Sequence, residues 1–124
     1  LLTGNYRCVE AYGVRAIRDA VQGDIVASTE MYGWVDALAR RLGADPDDQV
    51  PFEKYANAAT GLLKPSSAAR AIDSGADRIE RVDRLVQMIG RGLGLQNQQL
   101  DEIVAIVDAR LAANANFKKV ANVG

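Results

Sequence analysis

Apolar residues recur along most of the chain at the spacing of one face of an α-helix. Between Met31 and Leu42 the apolar positions follow the steps i, i+3, i+4, i+7 and i+11, which is typical of an amphipathic helix. Asp24 is a side chain preferred at a helix N-cap, and Gly43 directly follows a basic last turn. The sequence therefore predicts a long helix between Asp24 and Gly43, with Trp34 on its buried face.

Two further stripes of the same spacing predict helices in the second half of the chain, and both are assigned to the core. The first stripe consists of Ile79, Val82, Leu85, Val86, Ile89 and Leu93. It ends in a glycine cluster made of Gly90, Gly92 and Gly94. The second stripe consists of Leu100, Ile103, Val104, Val107 and Leu111, and Asn97 is its predicted N-cap. Residues 114–124 are predicted to form a polar tail with weak order.

Shorter helices are predicted over Tyr6–Ala20 and Phe52–Leu63. In the second of these, Pro51 fits the first turn and Asp48 is a candidate cap. No segment alternates in the manner of a strand, and the connections are short, so neighbouring helices should pack around one core. The sequence thus predicts an all-α fold, with a single compact multi-helix domain over residues 1–113 and the tail over 114–124.

Composition restricts the chemistry more than the fold. The chain has 124 residues, no His, one Cys and a net charge of −1. These counts exclude His-dependent triads, His or Cys-cluster metal sites and a disulfide framework, and they argue against a nucleic-acid partner. No apolar run reaches the ~18 residues of a membrane span, and the first residues resemble no signal peptide. We expect a cytoplasmic domain belonging to a longer protein.

Ser66 and Ser67 are the clearest local candidates for chemistry. Pro65 stops the preceding segment, so Ser66 is a predicted N-cap and Ser67 lies in the first helical turn. Free backbone N–H groups and two hydroxyls at a helix start can hold a carboxylate or a phosphate. An ordinary serine cap is the structural alternative.

Three other features have structural interpretations. Cys8 is predicted to be a small buried hydrophobe in a helix. The charged residues from Asp73 to Arg84 are interpreted as a solvated helix face, with Glu80 and Arg84 as a favourable i,i+4 pair. The glycine cluster closes a helix and follows no strand, which argues against a dinucleotide-binding loop.

The order of these features resembles the C-terminal helical domain of the ketopantoate reductase (2-dehydropantoate 2-reductase) family. Ser66-Ser67 begins a short helix, an acid-bearing segment follows from Arg78 to Asp83, and two amphipathic helices complete the pattern. Asn5 on an early helix also fits, and the resemblance extends from Asn5 to about residue 111. It implies the 6-phosphogluconate dehydrogenase C-terminal-like fold.

The resemblance also implies a function. The parent protein would be an NADP-dependent oxidoreductase of pantothenate biosynthesis, in which this domain binds the 2-oxo acid substrate and forms a homodimer. An N-terminal Rossmann domain outside these residues would bind NADP, so this segment alone should bind neither cofactor nor metal. Asn5, Ser66 and Ser67 are the implied substrate-binding residues, and Glu80 is the nearest acid to the family's catalytic Glu.

The match fails at both catalytic positions and leaves two alternative functions open. Either Leu1 stands where the family pattern places its catalytic Lys, or that Lys lies upstream of Leu1, and Glu80 lies one or two positions from the place of the family's catalytic Glu. The first alternative function is a non-enzymatic helical interaction domain, and the second is a helix-turn-helix regulator, which the weak basic character disfavours. For a dimer, the candidate apolar face comprises Leu1, Leu2, Tyr6 and Tyr12.

Overall fold

Seven α-helices and a single 3₁₀ turn form the regular structure of residues 2–123, which are the residues that this computed structural model describes. The predicted all-α class is confirmed, and the 6-phosphogluconate dehydrogenase C-terminal-like fold remains a prediction. The helices are α1 (Leu2–Tyr6), α2 (Ile17–Gln22), α3 (Ile25–Arg41), α4 (Phe52–Ala59), α5 (Ser67–Asp73), α6 (Val82–Gly92) and α7 (Gln98–Val123). The 3₁₀ turn is Pro46–Asp48.

Three predicted helix starts are confirmed by their capping hydrogen bonds. Asp24 Oδ1 accepts from the backbone N–H of Ala27 at 3.0 Å at the start of α3. Ser66 Oγ accepts from Ala69 N at 3.2 Å at the start of α5. The Asn97 side chain accepts a hydrogen bond at the start of α7 in the same way. Each cap satisfies a backbone donor that has no partner inside its helix.

Gly43 occupies the predicted position after α3. Its φ of 100° lies in the left-handed region, which glycine adopts without a steric penalty. The N–H groups of Leu42 and Gly43 close the last turn of the helix onto backbone carbonyls. The long helix predicted between Asp24 and Gly43 is therefore confirmed at both ends.

The prediction of one helix over Tyr6–Ala20 is wrong. The chain leaves α1 at Tyr6, makes a turn closed by a hydrogen bond from Glu10 N to Gly13 O at 3.0 Å, and starts α2 only at Ile17. Arg110 of α7 holds this turn, because its Nη1 donates to the carbonyls of Glu10 and Gly13 at 2.7 and 2.6 Å. Long-range contacts thus override the local helical spacing in this segment.

Two further helix boundaries differ from the predictions. α4 ends at Ala59 and follows Pro51 directly, while Asp48 closes the 3₁₀ turn instead of capping α4. α6 begins at Val82, so Ile79 and Glu80 precede it, and Glu80 and Arg84 do not form the predicted i,i+4 pair within a helix.

The predicted polar tail is helical as far as the structure describes it. α7 continues past Leu111 to Val123, since the segment is rich in alanine and contains neither proline nor glycine before Gly124. The Asn114 amide donates to the carbonyls of Ile72 and Ala76 at 2.9 and 2.7 Å, which fixes the middle of α7 to α5. Gly124 lies outside the described residues.

The core lies around the short helix α1, which contacts α2, α3, α5 and α6. Leu2 and Tyr6 of the proposed apolar face are only 4% and 5% exposed, so their prediction as surface residues is wrong. Tyr12 is fully exposed, and Leu1 lies outside the described residues. The main core consists of Leu2, Tyr6, Cys8, Val9, Ala20, Met31, Ala69, Ile72, Leu100, Ile103, Val104 and Val107.

The charged segment before and within α6 is only partly a solvated face. Asp83 is completely buried and receives two hydrogen bonds of 3.0 Å from the guanidinium of Arg81. Arg81 also donates to Asp108 of α7 at 2.6 Å. Burial opposes the charged form of Arg81, but the carboxylates of Asp83 and Asp108 outweigh it and raise the pKa of Arg81. This network attaches the start of α6 to α7.

No helix in residues 2–123 is both long and apolar enough to cross a membrane.

Candidate functional site

Asn5 and Ser66, two of the predicted substrate-binding residues, are in direct contact. The Ser66 hydroxyl donates to the Asn5 carbonyl at 2.6 Å, and Ser66 Oγ also accepts from Ala69 N. Ser66 is 3% exposed. Because its hydroxyl is engaged both as donor and as acceptor, Ser66 joins α1 to α5.

Glu80 and Ser67 lie on the surface near the same region. The Tyr6 hydroxyl donates to the Glu80 carbonyl at 2.7 Å and accepts from Val82 N at 2.9 Å. Glu80 and Ser67 are both exposed. Asn5 belongs to α1, and the segments that carry Ser66 and Glu80 are each hydrogen-bonded to this helix, but neither these three residues nor Ser67 lines the apolar groove or the smaller cavity of the structure.

An apolar groove of about 580 Å³ lies between α1, α3, α4 and α6. Its volume lies within the range typical of ligand pockets. Apolar side chains dominate the lining: Leu2, Met31, Val35, Val50, Val82 and Val86. We call this feature the α3/α6 groove.

An aromatic cluster supports one side of the groove. The ring of Tyr32 lies 5.5 Å from that of Phe52 and 5.9 Å from that of Tyr55, measured between centroids. Tyr32 Oη donates to the Val50 carbonyl, and Tyr55 Oη accepts from Gly4 N at 3.1 Å. Burial raises the pKa of Tyr55, so this phenol stays neutral at physiological pH. The cluster therefore holds α1, α3 and α4 in fixed relation.

Acidic groups lie along the groove. Asp36 and Asp48 line it together with Lys54. Asp36 Oδ2 pairs with Arg40 at 3.2 Å, whereas Asp36 Oδ1 is buried and accepts no hydrogen bond from the described residues. A buried acceptor without a partner is unfavourable by about 1–3 kcal/mol.

The apolar surface extends outside the groove along α6. Val82 lines the groove and is 43% exposed, while Leu85 and Met88, at successive steps of three residues, are 54% and 65% exposed. Residues three apart are neighbours on a helix surface, so these side chains form one ridge. The α6 stripe, predicted to be core, is thus only partly buried.

Cys8 is buried, as predicted, but it lies in the turn after α1 and not in a helix. Its thiol donates to the Gly4 carbonyl at 3.3 Å. Burial raises the pKa of Cys8, which disfavours the nucleophilic thiolate. Cys8 has the environment of a structural residue. Within residues 2–123 there is also no group of three or more acidic or thiol ligands placed to hold a metal ion.

The sequence pattern does not predict the groove. The helical spacing of Met31 and Val35 predicts positions in the core, but it does not show where a neighbouring helix leaves a gap. The excess of acid between Asp45 and Asp48 was the one available signal for the charge near the groove.

Comparison with protein-family models, with curated proteins and with solved structures finds no match for this chain.

Proposed function

We propose that this chain is a helical interaction module, and that the end of α7 from a second copy occupies the α3/α6 groove. The proposal is based on two complementary surfaces of the same chain. The chain combines an apolar groove bearing acidic groups with an exposed helix end that is apolar and basic. These two surfaces are complementary in polarity and in charge.

The end of α7 has an apolar stripe with no partner in the described chain. Phe117 and Val120 are 75% and 74% exposed, far more than is usual for large apolar side chains on a well-packed helix. With two alanines they occupy the steps i, i+4, i+7 and i+8 of one helix face: Ala113, Phe117, Val120 and Ala121. Exposed stripes of this kind mark interaction surfaces.

Charge favours the same pairing. Lys118 and Lys119 flank the stripe, and Lys118 is already bonded to Asp77 at 3.1 Å. Lys119 is exposed and offers an ammonium donor. In the proposed complex it bonds Asp36 Oδ1, the buried acceptor in the groove, while Phe117 and Val120 cover the apolar lining.

Symmetry makes the contact reciprocal. Each copy supplies one groove and one helix end, so a two-fold dimer buries both stripes at once. Four large side chains, each contributing about 1.5–3 kcal/mol, give a gross gain of about 6–12 kcal/mol. Association opposes this gain by at least ~4 kcal/mol and leaves about 2–8 kcal/mol, so we expect a weak dimer whose dissociation constant is roughly hundreds of micromolar at the middle of that range.

Sedimentation velocity over a concentration series tests the proposal. The native chain should dimerise, and Phe117→Ser and Val120→Ser should each lower the dimer fraction without changing the helical circular dichroism. Tyr12→Ser is the matched control, since Tyr12 is an exposed aromatic residue outside both surfaces. A native chain that stays monomeric at hundreds of micromolar contradicts the proposal.

A charge exchange tests the assigned ion pair. Asp36→Lys and Lys119→Asp should each weaken the dimer, and the double variant should restore it. Failure of the double variant to exceed both single variants would refute the Asp36–Lys119 pair.

A second candidate is the substrate-binding domain of an NADP-dependent 2-oxo acid reductase in the cytoplasm. The bond from Ser66 to the backbone carbonyl of Asn5, and the bond from Tyr6 to the backbone carbonyl of Glu80, support it, because they attach the segments of two implied site residues to the helix that carries the third. NADP would come from a Rossmann domain in the same protein, and dimerisation through this domain is compatible with both candidates.

The encoding gene and an activity assay separate the two candidates. The reductase requires about 150–180 upstream codons that encode a Gly-x-Gly-x-x-Gly turn after a strand. The full-length product should then oxidise NADPH with 2-dehydropantoate, and Ser67→Ala should raise KM. A reading frame without this segment rules out the reductase.

A further inference from the structure

A second cavity lies at the end of α1, where Tyr6 and Arg7 line it. It has a volume of about 300 Å³ and is formed where the turn after α1 meets the starts of α3 and α7. Its polar lining consists of Arg7, Arg15, Asp24, Gln99 and Glu102, and Val9, Ile103 and Ile106 supply apolar walls. The volume lies at the lower end of the range for small-molecule sites.

Two buried polar atoms of the lining residues lack partners. Arg7 Nη1 donates to no described group, and Gln99 Oε1 accepts from none. The orientation of the Gln99 amide is fixed, because its Nε2 donates at 3.1 Å to the carboxylate of Glu30, which can only accept. Three buried side-chain atoms of the described chain lack a hydrogen-bond partner: Arg7 Nη1, Gln99 Oε1 and Asp36 Oδ1. Arg7 and Gln99 line this cavity, and Asp36 lines the α3/α6 groove.

The charges of Arg7 and Arg15 balance those of Asp24 and Glu102, but Arg7 forms no ion pair with either carboxylate within the described residues. Burial and the neighbouring Arg15 lower the pKa of Arg7, while Asp24 and Glu102 act in the opposite direction. Arg15 is held in place, since its Nε donates to the Arg7 carbonyl at 2.7 Å. The lining thus offers two guanidinium groups, two carboxylates and one amide oxygen, with no net charge.

We propose that this cavity binds a small zwitterion of the α-amino acid class. The carboxylate of the ligand bonds Arg7 Nη1, and its ammonium bonds Gln99 Oε1 beside the carboxylates of Asp24 and Glu102. A net-neutral lining disfavours a simple anion or cation, because either would face two like charges. The apolar walls leave room for a short side chain. The proposal is independent of the α3/α6 groove.

Two-dimensional ¹H–¹⁵N NMR titration of the native chain tests it with three probes of matched carbon skeleton. L-alanine carries both charged groups, propionate only the carboxylate, and ethylamine only the ammonium. We expect L-alanine to shift amide signals of residues 7–15, 24–27 and 99–106, with an affinity at least ~10-fold above that of either control. No shift with L-alanine up to tens of millimolar, or an equal affinity for propionate, overturns the proposal.

Two substitutions separate binding from folding. Arg7→Met and Gln99→Leu keep a long side chain and remove one unpartnered polar group each. Both variants should fold at least as stably as the native chain and bind L-alanine at least ~10-fold more weakly. Arg84→Met, at an exposed position on α6, is the matched control and should leave binding unchanged. Native-like binding by Arg7→Met overturns the assigned contact.

Discussion

Replacement of Asp83 by Asn tests how the buried ionic network supports the fold. Asp83 is 0% exposed and accepts two hydrogen bonds of 3.0 Å from Arg81. It also lies in the first turn of α6, where a negative charge interacts favourably with the helix dipole. The substitution keeps the shape of the side chain and removes its charge, and the amide presents a donor to one guanidinium nitrogen.

The expected loss in the free energy of unfolding depends on the contacts that Arg81 keeps after the substitution. Loss of one partner from a buried ion pair costs about 3–5 kcal/mol when the other charge is left alone. Arg81 keeps its 2.6 Å contact with Asp108, whose side chain is 49% exposed. We therefore expect the lower end of that range, about 3 kcal/mol. For a chain of this size the midpoint of thermal unfolding should fall by roughly 12 °C.

Urea unfolding followed by far-UV circular dichroism measures this loss. Asp108→Asn is the matched control, because it removes the half-exposed partner of the same arginine and should cost less than ~1 kcal/mol. A loss below ~1 kcal/mol for Asp83→Asn, or equal losses for the two variants, would refute the assignment of Asp83 as the principal partner of Arg81.

Three further predictions concern packing and titration. Gly90→Ala should destabilise the chain by about 1–3 kcal/mol, because the added Cβ would lie 2.9 Å from the ring of Trp34, whereas Gly92→Ala meets nothing within 4 Å and should be neutral or stabilising in the same urea assay. Tyr6→Phe should cost about 1–3 kcal/mol by urea unfolding, since it leaves a carbonyl and an N–H without the phenol that joins them. Burial raises the pKa of Cys8 above its ordinary value of 9.0. The contribution of the neutral thiol to stability is therefore complete below pH 9.0 and declines as the pH rises through the folded-state pKa. Cys8→Ala should flatten the alkaline side of a stability–pH profile, and an unchanged profile would contradict this.

The features that the sequence predicts well are local. The caps at Asp24, Ser66 and Asn97, and the glycine after α3, each depend on a side chain and a backbone group within a few residues. Such contacts form in any context that permits the helix, so the residue types suffice to find them.

The features that the sequence does not predict depend on distant partners. The turn around Gly13 replaces a helix because Arg110 binds it, and Asp83 is buried because Arg81 and Asp108 surround it. The helical spacing of α6 marks an apolar face but not the depth of its burial, which depends on the positions of α1 and α7. The α3/α6 groove is a gap between elements far apart in the chain, and no single stretch of sequence encodes it.

The most direct test of the proposed function is a filtered NMR experiment on mixed dimers. One copy carries ¹³C-labelled methyl groups at Met31 and Val86 in the groove, and the other is unlabelled. We predict intermolecular nuclear Overhauser effects from these methyl groups to the Phe117 ring of the unlabelled copy, and their loss in a Phe117→Ser partner. A dimer that shows no such effects, or a mixture that remains monomeric, would contradict the proposal that the end of α7 occupies the α3/α6 groove.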